Sequence, residues 1–316
     1  MTTNDSHQDL EHFLGPIEIG VLVSSVSYGV VLVQTYKYFQ ASFRNDSVLL
    51  KCTVACLCVL QTVHSVLLWD YLYNKTVTNF TADNISEKIF GAHWSLRASF
   101  PVTAIITLVV QTFFTYQVRI LLSTWYYPAL MVPALLIRFG LGIARGIVNG
   151  PDQIQDFFHE FKWLIITSSV LGAAIDITNT IALSIAIDRN YSPLLRSRNI
   201  SDKLVMWTIE TGLITSIYST LEVILLSTMK PNRFVWIVFW MQAGKLYSNA
   251  ILSFLNGRIS LRSAQAASHI APGSLGPRDV HNNQNLEVHI EMESAMHNEI
   301  SNQKMGGSGD TLHQSV

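Results

Sequence analysis

The sequence predicts an all-α, polytopic membrane protein with seven transmembrane helices. Three observations support this fold class: the 316 residues are 49% hydrophobic, only 14% are charged, and the apolar residues fall into long runs. Soluble domains average roughly 25% charged residues, so the deficit indicates a surface that faces lipid. The formal net charge of -1 includes no dense basic block, which excludes nucleic acid as a partner.

Seven apolar windows are long enough to cross the hydrocarbon core, because about 20 helical residues cover roughly 30 Å. None alternates apolar and polar residues as a membrane β-strand does. A soluble all-α protein is the rival interpretation, but the short polar loops between so many apolar runs argue against it. Pro101, Pro128 and Pro133 are expected to mark kinks in the third and fourth runs. The predicted spans are 17–39, 48–72, 98–118, 126–148, 163–187, 204–229 and 234–256.

Charge predicts the orientation of the chain. Residues 1–16 contain three acidic side chains and no Lys or Arg, and basic flanks are retained in the cytoplasm. We therefore predict a short extracellular N-terminus, 1–16, followed by a membrane domain over 17–256. The cytoplasmic segments then hold ten basic residues and the outer segments seven. The segment 257–316 is rich in Ser, Asn, His, Gly and Gln, so we expect a disordered cytoplasmic tail that cannot bury enough surface to fold.

A polar loop between the second and third spans contains three Asn-x-Ser/Thr acceptors, Asn74, Asn79 and Asn84. In the predicted orientation this loop faces the lumen or the cell exterior, where glycosyl transfer occurs. Asn79 and Asn84 are the better glycosylation candidates because Asn74 lies close to the membrane. The alternative is a Thr- and Asn-rich loop with chance matches. A glycoprotein of this topology would reside in the plasma membrane or another secretory-pathway membrane.

Ionisable residues inside the predicted spans are the main candidates for a functional site, because a charge near the bilayer centre costs roughly 2.5–3.5 kcal/mol on insertion scales. In the last three spans, polar residues three, four and seven apart share one helix face. The ionisable residues are Arg138, Asp176, Glu210, Glu222 and Lys245. The polar stripes are Ser169, Asp176, Asn179 and Thr180; Thr211, Thr215, Tyr218, Ser219 and Glu222; and Gln242, Lys245, Asn249, Ser253 and Asn256.

We expect the three stripes to meet in a shared interior, where Lys245 pairs with Asp176 or with Glu222. One interpretation is a polar ligand pocket or ion path in the outer half of the bundle. A second is that buried ion pairs and hydrogen bonds only hold the helices together. A third is that one span is misplaced and one of the acids lies at an interface. The candidate ligand-binding residues are Asp176, Asn179, Glu222, Lys245 and Asn249.

Motifs of the common enzyme classes are missing from the sequence. An intramembrane zinc hydrolase needs several His and acidic ligands near one membrane face, whereas His64 is the only histidine inside a predicted span. The stretch GLGIARG, 140–146, resembles a phosphate loop in composition alone, since small residues in a membrane helix allow close packing. No G-x-S-x-G motif occurs. We therefore predict no enzyme activity, no metal and no cofactor.

Three segments carry a family resemblance: GAAIDITNTIALSIAI, TIETGLITSIYSTLEVILL and KLYSNAILSFLNGR. Over about 172–258 the chain resembles the C-terminal module of a fungal family of seven-span membrane proteins, a domain of unknown function. The stretches LGPIEIGVLVSSVSYGVVLVQTYKYF and QTVHSVLLW are similar to that family's first helices. Gln61 and Ala250 depart from the family pattern, which often has an acid and a serine there. The resemblance implies an integral membrane protein with seven helices and brings no ligand or reaction.

A receptor-like sensor is the predicted function, because an odd number of spans, a glycosylatable outer loop, a polar outer cavity and an inner tail suit signalling across a membrane. By architecture alone this suggests a G-protein-coupled receptor, although TYQVR and KLYSN differ from the rhodopsin-like motifs. The alternatives are a proton- or solute-coupled transporter, in which Asp176, Glu210 and Glu222 relay charge, and a structural membrane protein. Expected partners are the lipid bilayer, a small-molecule or lipid ligand, and a cytoplasmic effector at the inner loops and tail.

Overall fold

The chain forms long helices wherever this computed structural model describes it. The described residues are 3–42, 46–78, 93–147, 154–190, 198–228 and 234–270, with side chains over 12–40, 46–78, 93–147, 160–186, 212–228 and 234–257. They contain seven α-helices and no strand, which confirms the all-α prediction for this part of the chain. The helices are α1 (Thr3–Ser42), α2 (Val48–Tyr73), α3 (Trp94–Leu122), α4 (Tyr126–Ile147), α5 (Ile154–Asn190), α6 (Arg198–Thr228) and α7 (Val235–Ile270).

A short π-helix, Asn74–Thr78, continues α2. The chain divides into a compact unit, Met1–Ala264, and a second unit, Gln265–Val316, of which only 265–270 are described. All of the packing discussed below belongs to the first unit.

Five described helices are long and apolar enough to cross a membrane: His12–Gln40, Val48–Thr78, Trp94–Leu122, Tyr126–Ile147 and Glu160–Ala186. The part of α6 with described side chains adds a shorter apolar helix, Gly212–Thr228. Helix α7 is not among these described spans, because its polar residues Gln242, Lys245 and Asn249 lower its mean hydropathy. The structure thus supports a multi-pass membrane protein.

Exposed aromatic side chains collect near both ends of the helices. Trp94 at the start of α3 and Trp163 near the start of α5 are each 62% exposed. Toward the opposite end, Trp125 and Tyr126 at the start of α4 are 68% and 88% exposed, and the guanidinium of Arg119 lies 3.4 Å from the Trp125 ring centroid. Trp and Tyr concentrate at membrane interfaces because they have an apolar body and a polar tip. These residues are therefore placed as interface anchors.

Helices α1 and α7 extend beyond the predicted spans. Helix α1 begins at Thr3 and contains Pro16, so it includes most of the predicted extracellular N-terminus, 1–16. Helix α7 continues to Ile270, beyond the predicted start of the tail at 257. Each residue that extends an existing helix adds one backbone hydrogen bond, so a helix can continue past its apolar part. A hydropathy window does not detect such an extension.

Of the three predicted glycosylation sites, the structure describes Asn74 alone. Asn79 and Asn84 lie outside the described residues, as does the tail over 271–316. Asn74 belongs to the π-helix that continues α2, within the apolar helix Val48–Thr78.

Helix α3 packs against α2, α4 and α5. Its contact with α4 depends on two glycines. A Cβ atom at Gly142 would lie 2.6 Å from Ala104 Cβ, and one at Gly146 would lie 2.6 Å from Pro101 Cδ and 2.8 Å from the Arg97 carbonyl oxygen. These close approaches confirm the packing role expected for GLGIARG.

We predict that Gly146→Ala destabilises the fold and that Gly140→Ala does not. The first substitution forces Pro101 or the α3 backbone to move, at a cost of about 1–3 kcal/mol. Gly140 is the matched control, because no atom lies within 4 Å of a Cβ there, and alanine favours a helix by up to about 1 kcal/mol. Thermal unfolding of the purified variants measures the difference. Equal midpoints for the two variants would contradict the close contact.

Candidate functional site

A polar cluster occupies the interior where α3, α4, α5, α6 and α7 meet. The central cluster is defined by Gln111, Arg138, Arg145, Ser169, Asp176, Glu222 and Tyr247. At its middle the Asp176 carboxylate accepts hydrogen bonds from Gln111 Nε2, at 2.8 Å, and from the Tyr247 hydroxyl. The Tyr247 oxygen in turn accepts from Arg138 Nη2 at 3.3 Å. Tyr247 therefore links the cation of α4 to the anion of α5.

A second relay joins α4 to α6 through α5. The Arg145 guanidinium donates to the Ile165 carbonyl and, at 3.4 Å, to Ser169 Oγ. The Ser169 hydroxyl donates to Glu222 Oε1 at 3.0 Å. Arg145 is 6% exposed and Glu222 8%. Charges this deeply buried persist only where other groups compensate the lost hydration, so the serine and the opposite charge stabilise both side chains.

The spacing of Arg138 and Arg145 in α4 explains why both side chains reach the central cluster. Arg138 and Arg145 are seven residues apart, so they lie on one face of α4. A glycine of α5 faces the first of them: a Cβ at Gly172 would lie 2.6 Å from Arg138 Nη2. Because position 172 has no side chain, the guanidinium can pack directly against the backbone of α5.

A cavity of about 50 Å³ lies among these residues, lined by Gln111, Arg138, Arg145, Ser169 and Glu222 together with apolar side chains. Three buried atoms of its lining residues have no hydrogen-bond partner: Arg138 Nη1, Arg145 Nε and Gln111 Oε1. Buried polar atoms in native proteins nearly always have a partner, which can be water or a ligand. The residues that line the cavity therefore have two unused donors and one unused acceptor.

A smaller cavity of about 30 Å³ lies on the other side of Gln111, where Asp176, Asn179 and Tyr247 are among the lining residues. The Asn179 side-chain oxygen accepts a hydrogen bond from Tyr127 at 2.6 Å and one from Thr115 at 3.4 Å. From Arg145 to Tyr127 the distance along α4 is about 27 Å. Polar groups thus extend over most of the thickness of a bilayer core.

The polar stripe of α7 does not join this cluster. Lys245 Nζ lies 2.8 Å from His64 Nδ1 of α2 and 5.9 Å from the Tyr28 ring centroid of α1. Asn249 Nδ2 donates to the Ser27 carbonyl of α1 at 3.3 Å. Among the described residues Lys245 forms no ion pair with Asp176 or Glu222, so the predicted pairing is wrong, and neither Lys245 nor Asn249 lines either cavity.

Helical phase explains this difference. The residues of α7 that face the cavities are Trp240, Ala243 and Tyr247, whereas the polar stripe occupies another face. Two residues correspond to about 200° around a helix, so Lys245 and Tyr247 point in nearly opposite directions. The stripe packs on α1, where Gln34 Nε2 donates to Ser253 Oγ at 3.0 Å and Asn256 Nδ2 to the Gln34 carbonyl at 2.9 Å.

The structure therefore separates the five predicted ligand residues into two groups. Glu222 lines the larger cavity, Asp176 and Asn179 line the smaller one, and Lys245 and Asn249 contact α1 and α2. The side chain of Glu210 lies outside the described set.

The candidate ligand-binding residues predicted from the sequence did not include Gln111, Arg138, Arg145 or Tyr247 of the central cluster. One usable signal was the spacing of the two arginines in α4. Another was a fourth polar stripe at intervals of four residues in α3, formed by Thr103, Thr107, Gln111 and Thr115.

A smaller polar group surrounds His93, which precedes α3 and lies outside the spans. His93 caps α3 by accepting from the Ser95 amide, and its Nδ1 lies 3.4 Å from Asp70 Oδ2. Partial burial lowers the pKa of His93 below its usual value; the Asp70 carboxylate opposes this shift and Lys75 adds to it. No group of three His, Cys, Asp or Glu side chains in the described chain could hold a metal ion.

A family of unknown function, DUF6534, matches residues 172–260. The matched segment covers the second half of α5, all of α6 and most of α7, and includes Asp176, Glu222 and Tyr247 but neither arginine of α4. The resemblance found in the sequence over 172–258 is thus confirmed as a match to a domain of unknown function. No curated protein matches the chain. No solved structure matches it either.

We predict that Tyr247→Phe destabilises the protein by about 1–3 kcal/mol, because Arg138 and Asp176 each lose a buried hydrogen bond to the hydroxyl, although Asp176 keeps the one from Gln111. Tyr126→Phe is the matched control, since Tyr126 is 88% exposed. Thermal unfolding of the purified proteins reports the effect. A Tyr247→Phe midpoint equal to that of the control would show that the hydroxyl does not join the two charges.

Proposed function

We propose that this chain is a receptor-like sensor that spans the membrane seven times and binds a small polar ligand in the larger cavity. The supporting observation is the convergence of three unpartnered buried atoms, on Gln111, Arg138 and Arg145, on the lining of one cavity. Buried donors in native proteins nearly always have a partner. Guanidinium donors without one, in residues that line a cavity, favour a site that a ligand completes.

The proposed topology places the N-terminus outside and the C-terminus in the cytoplasm, with α6 and α7 as the last two spans. Asn79 and Asn84 then carry glycans on the outer side, and the protein resides in the plasma membrane or another secretory-pathway membrane. The same proposal assigns the chain to the fungal family of seven-span membrane proteins that its sequence resembles.

This topology predicts that an epitope at the C-terminus is reached by antibody only after cells are permeabilised. It also predicts that Asn79→Gln with Asn84→Gln removes a glycosidase-sensitive shift in electrophoretic mobility. Asn199→Gln is the control. Asn199 also lies in an Asn-x-Ser acceptor, but in this topology it falls on the cytoplasmic side and should carry no glycan. Labelling of the C-terminal epitope on intact cells would reverse the proposed sidedness.

The relay through Ser169 connects ligand binding to helix position. A ligand that bonds to Arg145 competes with the Ser169 contact that joins Arg145 to Glu222 of α6. Helix α6 packs closely on α5, since a Cβ at Gly212 would lie 2.8 Å from Thr180 Oγ1. A displaced Glu222 therefore shifts α6 along α5, and the inner ends of these helices carry the change to a cytoplasmic effector.

Coupled transport of a proton or solute is the second candidate function. It is favoured by one observation, the polar groups that extend from Arg145 to Tyr127 over about 27 Å of α4. A transporter must open this path to both sides of the membrane, whereas a sensor needs only one opening. Matching sequence halves, which many transporters show, are not evident in this chain.

One experiment separates the two candidates. We predict that, in a panel of amino acids, short carboxylates and sugars, at least one solute raises the unfolding temperature of the wild type in lipid nanodiscs. Arg145→Gln combined with Glu222→Gln should abolish this shift while keeping the charge balanced, and the exposed Lys162→Gln should retain it. A shift that survives in the double variant would refute the site. Flux of the same solute into proteoliposomes, abolished by Asp176→Asn, would identify a transporter.

A further inference from the structure

The unused hydrogen-bonding atoms of the larger cavity define the chemistry of a ligand. Arg138 Nη1 and Arg145 Nε are free donors on guanidinium groups, which bind carboxylate and phosphate oxygens most strongly. The cavity of about 50 Å³ has room for roughly four water-sized atoms. That space fits a carboxylate of the size of acetate and excludes nucleotides and sugar phosphates. Gln111 Oε1, the free acceptor, is satisfied by water or by a hydroxyl of the ligand.

The charges of the cluster balance before any ligand binds. Arg138 and Arg145 contribute two positive charges, and Asp176 and Glu222 contribute two negative ones. An added carboxylate leaves a net negative charge inside the bundle, where the protein and lipid hydrate it poorly. An anion that enters together with one proton preserves neutrality.

We propose that the larger cavity takes up a small carboxylate anion together with one proton, and that Glu222 holds this proton, a proposal that rests on the ligand site inferred above. The anion binds the free donors of Arg138 and Arg145, and its negative charge takes the place of the Glu222 charge in the balance of the cluster. The proton comes from solvent and makes Glu222 a neutral acid that can still hydrogen-bond to Ser169 Oγ. No covalent bond is formed or broken.

The surroundings of the two acids favour Glu222 over Asp176 as the proton acceptor. Asp176 receives hydrogen bonds from both Gln111 and Tyr247, whereas Glu222 receives one from the neutral hydroxyl of Ser169. The charged and titratable groups that face Glu222 are Arg145 and Arg138 of α4, Asp176 of α5 and Tyr218 on its own helix. The residues that α3 and α7 add to the described lining are not ionisable.

The test uses the full-length protein in lipid nanodiscs and sodium acetate as the probe. Titration calorimetry in two sulfonate buffers of different ionisation enthalpy measures the protons taken up per acetate bound. We expect about one proton per acetate and an affinity that falls about tenfold for each rise of one pH unit. Acetamide, which has the same shape without the charge, should bind at least tenfold more weakly and take up no proton.

Two variants assign the proton. Glu222→Gln should bind acetate with no proton uptake and no pH dependence, because its side chain is already neutral. The exposed Glu160→Gln at the start of α5 is the matched control and should behave as the wild type. Thermal unfolding first verifies that both variants are folded. If Glu222→Gln does not fold, infrared difference spectra of the wild type replace it, with acetate labelled by ¹³C at its carboxyl group to shift the ligand's own bands. We expect acetate to convert a protein carboxylate into a carboxylic acid, and the absence of that band would overturn the assignment.

The remaining outcomes overturn the proposal. Acetate binding without proton uptake would remove the coupling, and a pH dependence retained in Glu222→Gln would place the proton elsewhere. Equal binding of acetamide would show a neutral ligand class, and no acetate binding at all would exclude small carboxylates. In these four cases the sensor proposal still stands if another solute of the panel stabilises the wild type through Arg145. It falls if no solute of the panel stabilises the wild type, or if the stabilising shift survives in the double variant.

Discussion

Charged side chains inside this bundle must find their compensation within the protein, because lipid cannot hydrate them. Arg138, Arg145, Asp176 and Glu222 meet this constraint by interlocking, with Ser169 between one pair and Tyr247 between the other. These bonds tie α4, α5, α6 and α7 together, and the bond from Gln111 to Asp176 adds α3. Breaking one link leaves a buried charge exposed to a low dielectric, which costs far more than a surface ion pair contributes. The arrangement of five helices therefore depends on this one set of contacts.

Close helix approach makes the interlocking possible. Position 172 has no side chain, so Arg138 can lie on the backbone of α5, and Gly142 and Gly146 allow α4 to approach α3. Hydrophobic residues complete the packing around the polar groups: Trp240 stacks on Phe100 at 4.3 Å between centroids, and both line the larger cavity. A membrane interior provides no hydrophobic force between helices, so small residues and polar bonds decide which helices meet.

The fold was more predictable than the site. Long apolar runs identified the helices because span length depends only on the thickness of the bilayer. Sequence spacing also showed correctly that Lys245 and Asn249 share a face. It could not show which neighbour that face meets, because the rotation of α7 depends on contacts more than 180 residues away in sequence, such as the bond of Lys245 to His64. Arg145 was not identified as a site residue for a related reason. It lies near a helix end, where a charged side chain is expected to face solvent, but the structure buries it.

The two polar regions of the bundle differ in a way that separates packing from binding. Between α1 and α7 the unpartnered atoms of Gln242, Asn249 and Asn256 are amide oxygens whose own NH2 groups already donate across the interface. A carbonyl oxygen without a partner is tolerated more often than a donor without one. In the central cluster the unpartnered atoms include guanidinium donors, and they belong to residues that line a cavity with room for several water-sized atoms. A donor of that strength beside open space has a strong preference for an anionic partner, so the α1–α7 contact is best explained as packing and the cavity as a binding site.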